Sequence, residues 1–262
     1  MIVAEKQLQA LIVTWRSPTD HGYVPLGRLV SGLGPAQPGY EFAYLSGAKG
    51  AGANGQGPLL AFPDIGRVYR SDDLFPFFQN RVIQPSRPEY PDFVRSLALD
   101  PDHAPPMDIL IRTGGGRVTD PFEIFECPAQ GEQLQPYRTH FLARGLRHLS
   151  KTSLDRVESL RTGEHLYLMR DCRNDYDGRA LALRTDDRIT VGYLPGFLVE
   201  MLHPWPQCGR AICHVAKANP PAVPLQQRLL CRLETRWPAD FQPFATEPFM
   251  PISAKATCLF AP

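Results

Sequence analysis

The sequence lacks several features that would place it in a specialised class of protein. Its six cysteines form no CxxC pair, so neither a dithiol redox motif nor a compact disulfide framework is indicated. No apolar run approaches the ~20 residues that a membrane helix needs, and no secretory signal stands at the start. We therefore expect a cytoplasmic protein whose thiols are reduced and mostly buried.

The chain also has little net charge, +1 by formal count, but its two halves differ. Residues 1–136 hold 11 Lys and Arg against 15 Asp and Glu, whereas residues 137–262 hold 17 against 12. The positive excess is mostly arginine, which suits bidentate contacts with phosphate. We therefore expect any electrostatic footprint for nucleic acid in the C-terminal half, although an ordinary solvated surface explains the same charges equally well.

What the sequence does contain is typical of a globular protein built from short elements. Hydrophobic residues make up 43% of the chain, which is enough to bury a core. Proline accounts for 27 of the 262 residues, well above its usual frequency, and it follows no repeat. This composition favours short strands and helices joined by many turns.

Hydrophobic periodicity and linker composition divide the chain into four segments. We predict a small mixed α+β domain over residues 1–128, a linker over 129–136, a β-barrel domain with short helices over 137–236 and a Pro-rich arm over 237–262. The predicted fold class is α+β. Within the first segment, the Gly- and Ala-rich stretch 47–57 is predicted to be a flexible loop.

Three segments of the C-terminal half carry the most information. They read Gly145-Leu146-Arg147-His148-Leu149, the run LMRDCRNDYDGRALAL over residues 168–183, and Val191-Gly192-Tyr193-Leu194-Pro195. In their order and spacing they resemble the HIRAN family over residues 137–236. The resemblance implies a small barrel related to the OB-fold that holds single-stranded DNA, in particular by its 3′ end.

The resemblance also implies which residues bind the DNA. They are Arg147, His148, Arg173, Asn174, Tyr176, Asp177, Arg179 and Tyr193. A carboxylate such as Asp177 accepts a terminal hydroxyl and repels a terminal phosphate. Tyr176 and His148 offer flat faces for base stacking, worth about 1–3 kcal/mol per base. The arginines can neutralise backbone phosphates.

These residues also have a purely structural interpretation, and two positions depart from the family pattern. Asn174 to Asp177 reads equally as a turn in which the side chains bond their own backbone, and Tyr193 could be a core residue. His148 stands where the family has a tyrosine, and stacking survives that change. Gly196 stands where a characterised member has a lysine, which puts one phosphate contact in doubt.

The N-terminal half resembles the N-terminal subdomain of HipA-type proteins. The resemblance rests on residues 40–44, 58–63, 74–81 and 112–116. No stretch combines a nucleotide loop with the catalytic and metal-binding aspartates of a kinase core. Gly114-Gly115-Gly116 lacks the Lys-Ser/Thr of a phosphate-binding loop, which favours a tight turn. The resemblance implies an interaction module, a possible contact point for a protein partner.

A zinc site is a minor alternative. His203, Cys208, Cys213 and His214 cluster in sequence, but Cys213 and His214 are adjacent on a predicted strand and would point to opposite faces. We identify no catalytic residue and expect no cofactor. The favoured function is binding of single-stranded DNA or DNA 3′ ends in DNA repair, DNA processing or mobile-element defence. The alternatives are a protein-interaction module of a HipA-like toxin–antitoxin system and, less favoured, a metal-dependent hydrolase.

Overall fold

Two antiparallel sheets organise the chain in the computed structural model. The structure describes residues 8–18, 22–33, 39–117, 119–127, 136–174, 177–202, 211–236 and 244–258. Each sheet is the centre of one compact unit. The first unit comprises Met1–Ile83, Gly114–Leu134 and Ala239–Pro262, and the second comprises Gln84–Thr113 and Gln135–Pro238.

Among its described residues, the first unit contains a five-stranded sheet and two short α-helices. Its elements are β1 (Gln9–Arg16), β2 (Tyr23–Ser31), β3 (Tyr40–Tyr44), α1 (Gly47–Ala53), β4 (Tyr69–Ser71), α2 (Pro76–Gln79) and β5 (Phe122–Cys127). The strand order is β4-β3-β2-β1-β5, and every neighbouring pair is antiparallel. Strand β1, which lies between β2 and β5, is buried along most of its length, and this explains its apolar run from Leu11 to Val13.

Aromatic side chains fill the core beside β3. The rings of Phe42 and Phe62 stack with their centroids 4.0 Å apart. The Tyr44 hydroxyl donates to the Phe62 carbonyl at 2.8 Å and accepts from the Leu59 amide at 2.7 Å. Burial raises the pKa of Tyr44 to about 12, so its hydroxyl stays protonated and can donate. The hydroxyl thereby ties the segment before β4 to the sheet.

The segment 244–258 is fastened to the first sheet by hydrogen bonds to its backbone. The Arg28 guanidinium donates to the Thr257 carbonyl, and the Thr257 amide donates to Glu41 Oε1 at 2.7 Å. Arg70 pairs with the other oxygen of Glu41 at 2.9 Å and donates to the Lys255 carbonyl at 3.1 Å. Because Arg28 and Glu41 are both buried, this segment supplies partners for groups that would be costly to leave unpaired.

The prediction of a loop over residues 47–57 is wrong for its first part, which forms helix α1. Glycine disfavours helices when a segment is exposed, but here it permits close packing. A Cβ at Gly47 would lie 2.3 Å from the Pro25 carbonyl oxygen, and Ala51 is fully buried. Tertiary packing against β2 therefore outweighs the weak helix propensity.

The second unit contains a six-stranded sheet and four α-helices among its described residues. Its elements are α3 (Tyr90–Ser96), α4 (Pro106–Thr113), β6 (Tyr137–Leu142), α5 (Lys151–Ser159), β7 (His165–Arg170), β8 (Leu181–Arg184), β9 (Thr190–Tyr193), α6 (Gly196–Leu202), β10 (Ile212–Ala218) and β11 (Leu229–Thr235). A Ser150 hydroxyl that accepts from the Ser153 amide caps α5. Pro195 directly precedes α6, and its fixed φ suits the start of a helix.

The six-stranded sheet curls until its two edges meet. Its order is β6-β11-β10-β7-β8-β9. Two residues beyond β6, Arg144 pairs with Tyr193 of β9 through two backbone hydrogen bonds of 2.9 Å each. This pairing closes the sheet into a barrel whose interior holds side chains such as Phe141, Leu183 and Cys231. The predicted α+β class with a β-barrel in the C-terminal half is confirmed.

Residues 84–113, which precede the predicted linker, pack in the second unit. Asn219, only 3% exposed, donates from Nδ2 to the Ser96 carbonyl at 2.8 Å and to the Gln227 carbonyl at 2.7 Å. The end of α3 is thereby attached to the loop that joins β10 and β11. The predicted division of the chain into four segments, with boundaries after residues 128, 136 and 236, stays a prediction.

Candidate nucleic-acid interface

Two glycines allow the barrel edges to meet. A Cβ at Gly192 would lie 2.9 Å from the Cβ of Ala143, and a Cβ at Gly145 would lie 2.7 Å from Cδ2 of Tyr193. Gly145 also has φ +76°, a left-handed conformation that glycine adopts without strain. The glycines of the Gly-Leu-Arg and Val-Gly-Tyr segments therefore serve the closure of the barrel.

Arg147 and His148 come directly after this closure in the chain. They lie in a 3-10 helix (Leu146–His148) that begins after Gly145, and both are exposed. Arg147 donates from Nε to His148 Nε2 at 2.9 Å. Nε2 of the imidazole is the acceptor in this hydrogen bond. A guanidinium and a flat ring are thus held side by side on the surface.

The loop after β7 is held by its own polar side chains. Asn174 Oδ1 accepts from the Asp177 amide at 3.0 Å, and Asp177 Oδ1 accepts from the Arg179 amide at 2.8 Å. These are the side chain to backbone bonds of the turn interpretation. Asn174 and Asp177 therefore shape the loop, whatever ligand it contacts.

Asp171 links this loop to the barrel, although it is not among the predicted site residues. Its Oδ1 accepts from the Arg173 amide at 3.2 Å, and its Oδ2 accepts from the Tyr193 hydroxyl at 2.9 Å. Burial and then this hydrogen bond raise the pKa of Tyr193. The position of Asp171 in the sequence could have indicated its role, because it immediately follows a strand and aspartate commonly starts a turn there.

Tyr193 lies between the two parts of the predicted site, the Arg147–His148 pair and the loop after β7. Tyr193 lies against Gly145, two residues before Arg147, and its hydroxyl reaches Asp171 at the start of the loop. The guanidiniums of Arg173 and Arg179 are exposed on the same loop. Tyr176 lies outside the described residues. Tyr193 is thus the contact that relates the turn at Gly145 to the start of the loop at Asp171.

The zinc candidates are only partly within the structure. His203 and Cys208 lie outside the described residues. Cys213 is fully buried, and the next residue, His214, lies beside His165 with ring centroids 5.5 Å apart. Within the described part of the chain, no three His, Cys, Asp or Glu side chains are grouped so as to hold a metal ion.

Two sequence features outside the barrel can also be placed. Gly114 and Gly115 have φ values of +73° and +57°, and the Gly115 carbonyl accepts from Arg81 at 3.1 Å. The Gly114–Gly116 segment therefore follows a turn conformation. Among the described residues, no helix is both long enough and apolar enough to cross a membrane.

The geometry defines a class of site: a polar, cation-bearing surface at the closure of a small β-barrel. No family model and no curated protein matches the sequence. Two solved structures are similar to part of the chain. The HIRAN domain of human HLTF is 21% identical over 38% of this chain and 71% of its own, with a TM-score of 0.27. A protein from Lactobacillus plantarum is 22% identical over 38% of this chain and 94% of its own, with a TM-score of 0.28.

Proposed function

We propose that this protein binds single-stranded DNA by its 3′ end at the barrel closure. The surface joining Arg147, His148, Tyr193 and the loop of Asp171 to Arg179 carries the proposal. It offers the three contacts that an end-binding site requires: guanidiniums for phosphates, rings for bases and a carboxylate for a terminal hydroxyl. The HIRAN-like sequence segments supply the same residues, which supports this function further.

Discrimination between DNA ends is assigned to Asp177. Its Oδ1 already accepts from the Arg179 amide, which fixes the direction of the carboxylate. A 3′ hydroxyl can donate to that carboxylate, whereas a 3′ phosphate would place two like charges together. Recognition of a free 3′ end suits a role in DNA repair, DNA processing or defence against mobile elements.

Fluorescence anisotropy with two labelled oligonucleotides tests the proposal. The oligonucleotides share one sequence and end in a 3′ hydroxyl or a 3′ phosphate. We expect the hydroxyl form to bind at least tenfold tighter, since a hydrogen bond to a charged group contributes about 1.5–3 kcal/mol. Asp177→Asn keeps an oxygen for the Arg179 amide and should abolish the preference without unfolding the loop.

Arg147→Ala should weaken binding of both oligonucleotides to a similar degree, because a phosphate contact does not read the end. Arg95→Ala on α3 is the matched control: it also removes one exposed arginine, and its surface pair with Asp92 adds little stability. Equal binding of both ends that Asp177→Asn leaves unchanged would refute end recognition. No binding of either oligonucleotide at low salt would refute DNA binding altogether.

A further inference from the structure

Strand β7 presents an unusual row of exposed side chains. Tyr167 and Met169 are each 50% exposed and alternate with Leu166 and Leu168, and Ile212 on the neighbouring β10 is 44% exposed. Single exposed apolar residues need no explanation, but neighbouring ones commonly mark a binding surface. With Arg184, Thr185, Asp186 and Arg188, Tyr167 and Met169 line one open pocket.

The Tyr167 ring is held in place from two sides. The His165 ring meets it edge-on, with centroids 4.4 Å apart and planes at 87°. The hydroxyl is engaged by the Asp186 carboxylate, and this hydrogen bond is the main cause of the raised pKa of Tyr167. A ring fixed in this way loses little freedom when a flat partner stacks on it.

Positive charge lies beside this ring. Arg184 pairs with Tyr167 across the β7–β8 ladder, and its guanidinium donates to the Arg188 carbonyl and to Met169 Sδ. Within the part of the chain that the structure describes, neither Arg184 nor Arg188 forms an ion pair. The nearby carboxylates Glu164 and Asp187 are both paired with Arg156. Within the pocket lining, Arg184 and Arg188 stand against one carboxylate, Asp186, so the net charge of the lining is +1.

Arg188 has a backbone conformation that is costly for a residue with a side chain. Its φ is +63°, at a turn where the Arg188 amide donates to the Thr185 carbonyl at 2.9 Å. Glycine would fit this turn without strain. Strained non-glycine residues concentrate at functional sites, which is a second observation, independent of charge, that points to a role for this side chain.

This row of side chains leads to the barrel closure. Asp171, which holds Tyr193, directly follows β7, so Asp171 and Tyr167 are separated by about 13 Å of extended strand. We propose that Tyr167, Met169, Arg184 and Arg188, the β7 face, bind the part of a DNA strand that continues away from its 3′ end. The inference rests on the proposed function. It extends the site from end recognition to a path for several nucleotides.

The charge and shape of the β7 face favour a nucleic-acid strand as its occupant. Guanidiniums suit phosphates, and the exposed tyrosine face suits any base without regard to sequence. Asp186 at the edge of the pocket can accept from the amino groups of bases. We therefore expect binding that depends on strand length and falls with salt.

The test compares labelled single strands of 4 and 12 nucleotides that share the same 3′-hydroxyl end. We expect the longer strand to bind about tenfold tighter to the unaltered protein. Tyr167→Ala and Arg188→Gly should each reduce this advantage severalfold and leave binding of the 4-nucleotide strand unchanged. Arg188→Gly relieves the positive φ, so loss of folding cannot explain a weaker affinity.

Arg95→Ala again serves as the control and should leave both affinities unchanged. Tight binding of the short strand with no gain in affinity from the longer strand would refute DNA binding by the β7 face and leave end recognition intact. A length effect that survives both Tyr167→Ala and Arg188→Gly would likewise overturn it. Failure of the short strand to bind would instead count against the proposed function itself.

Discussion

At the scale of single residues, His140 on β6 shows how burial changes the chemistry of a side chain. Burial is the main cause that lowers the pKa of His140 from 6.5 to about 4, and the charges of Arg112 and Arg232 act in the same direction. The folded protein therefore keeps this imidazole neutral in a pH range where the unfolded chain protonates it.

This difference predicts a pH-dependent stability. Between pH 6.5 and about 4 the unfolded state binds more protons, so the free energy of unfolding should fall as the pH falls through that window. His140→Gln should lack this contribution while keeping a polar side chain. Urea unfolding of both proteins at pH 7 and pH 4.5 measures the difference. An identical loss of stability in the two proteins would contradict the prediction.

The role of a residue could be predicted from the sequence where that role has a local cause. Gly145 and Gly192 could be recognised as important from the sequence segments that contain them. The structure supplies the reason, which is the close approach of neighbouring strands at both positions. Asp171 could not be ranked in this way, because its importance depends on Tyr193, 22 residues later. Contacts between residues distant in sequence leave no local signal.

At the scale of elements, hydrophobic periodicity indicates β7 and α5, whereas it does not indicate α1. The alternation around Leu166 and the spacing of Leu154 and Val157 each reflect a buried face, and the structure has β7 and α5 there. Helix α1 has three glycines in seven residues and forms because it packs on β2. Local propensity alone contains no information about that packing.

Helix α1 therefore predicts opposite effects for two chemically identical substitutions. No atom lies within 4 Å of a Cβ built at Gly50, so Gly50→Ala should stabilise the protein by about 0.5–1 kcal/mol. Gly47→Ala would place its Cβ against the Pro25 carbonyl and should destabilise the protein. Thermal and urea unfolding of both variants provide the measurement. Stabilisation by both, or by neither, would show that α1 is not packed as described.

At the scale of the whole molecule, the chain passes between its two compact units four times. A barrel excised from the sequence alone, residues 137–236, would lack α3 and α4. It would then lose the Ser96 carbonyl that the buried Asn219 bonds, together with the packing of α4 on β6.

We therefore expect the fragment 137–236 to be markedly less stable than a fragment that begins at residue 84. Asn219 keeps its bond to the Gln227 carbonyl but loses the one to Ser96, and a buried donor left without a partner costs up to about 1–3 kcal/mol. The exposed face of β6 adds to that loss. Circular dichroism melting of the two fragments tests this expectation. Equal melting temperatures would mean that the helices contribute nothing to the barrel.

The attachment of residues 244–258 to the first sheet also sets an order for folding during synthesis. The ribosome produces β1 to β4 first, but the Thr257 backbone that satisfies Arg28 and Glu41 emerges only after the barrel strands. Domains usually fold in the order in which they are made. Here the half that is translated first is completed last, so the nascent barrel can be finished while its older neighbour still waits for its final segment.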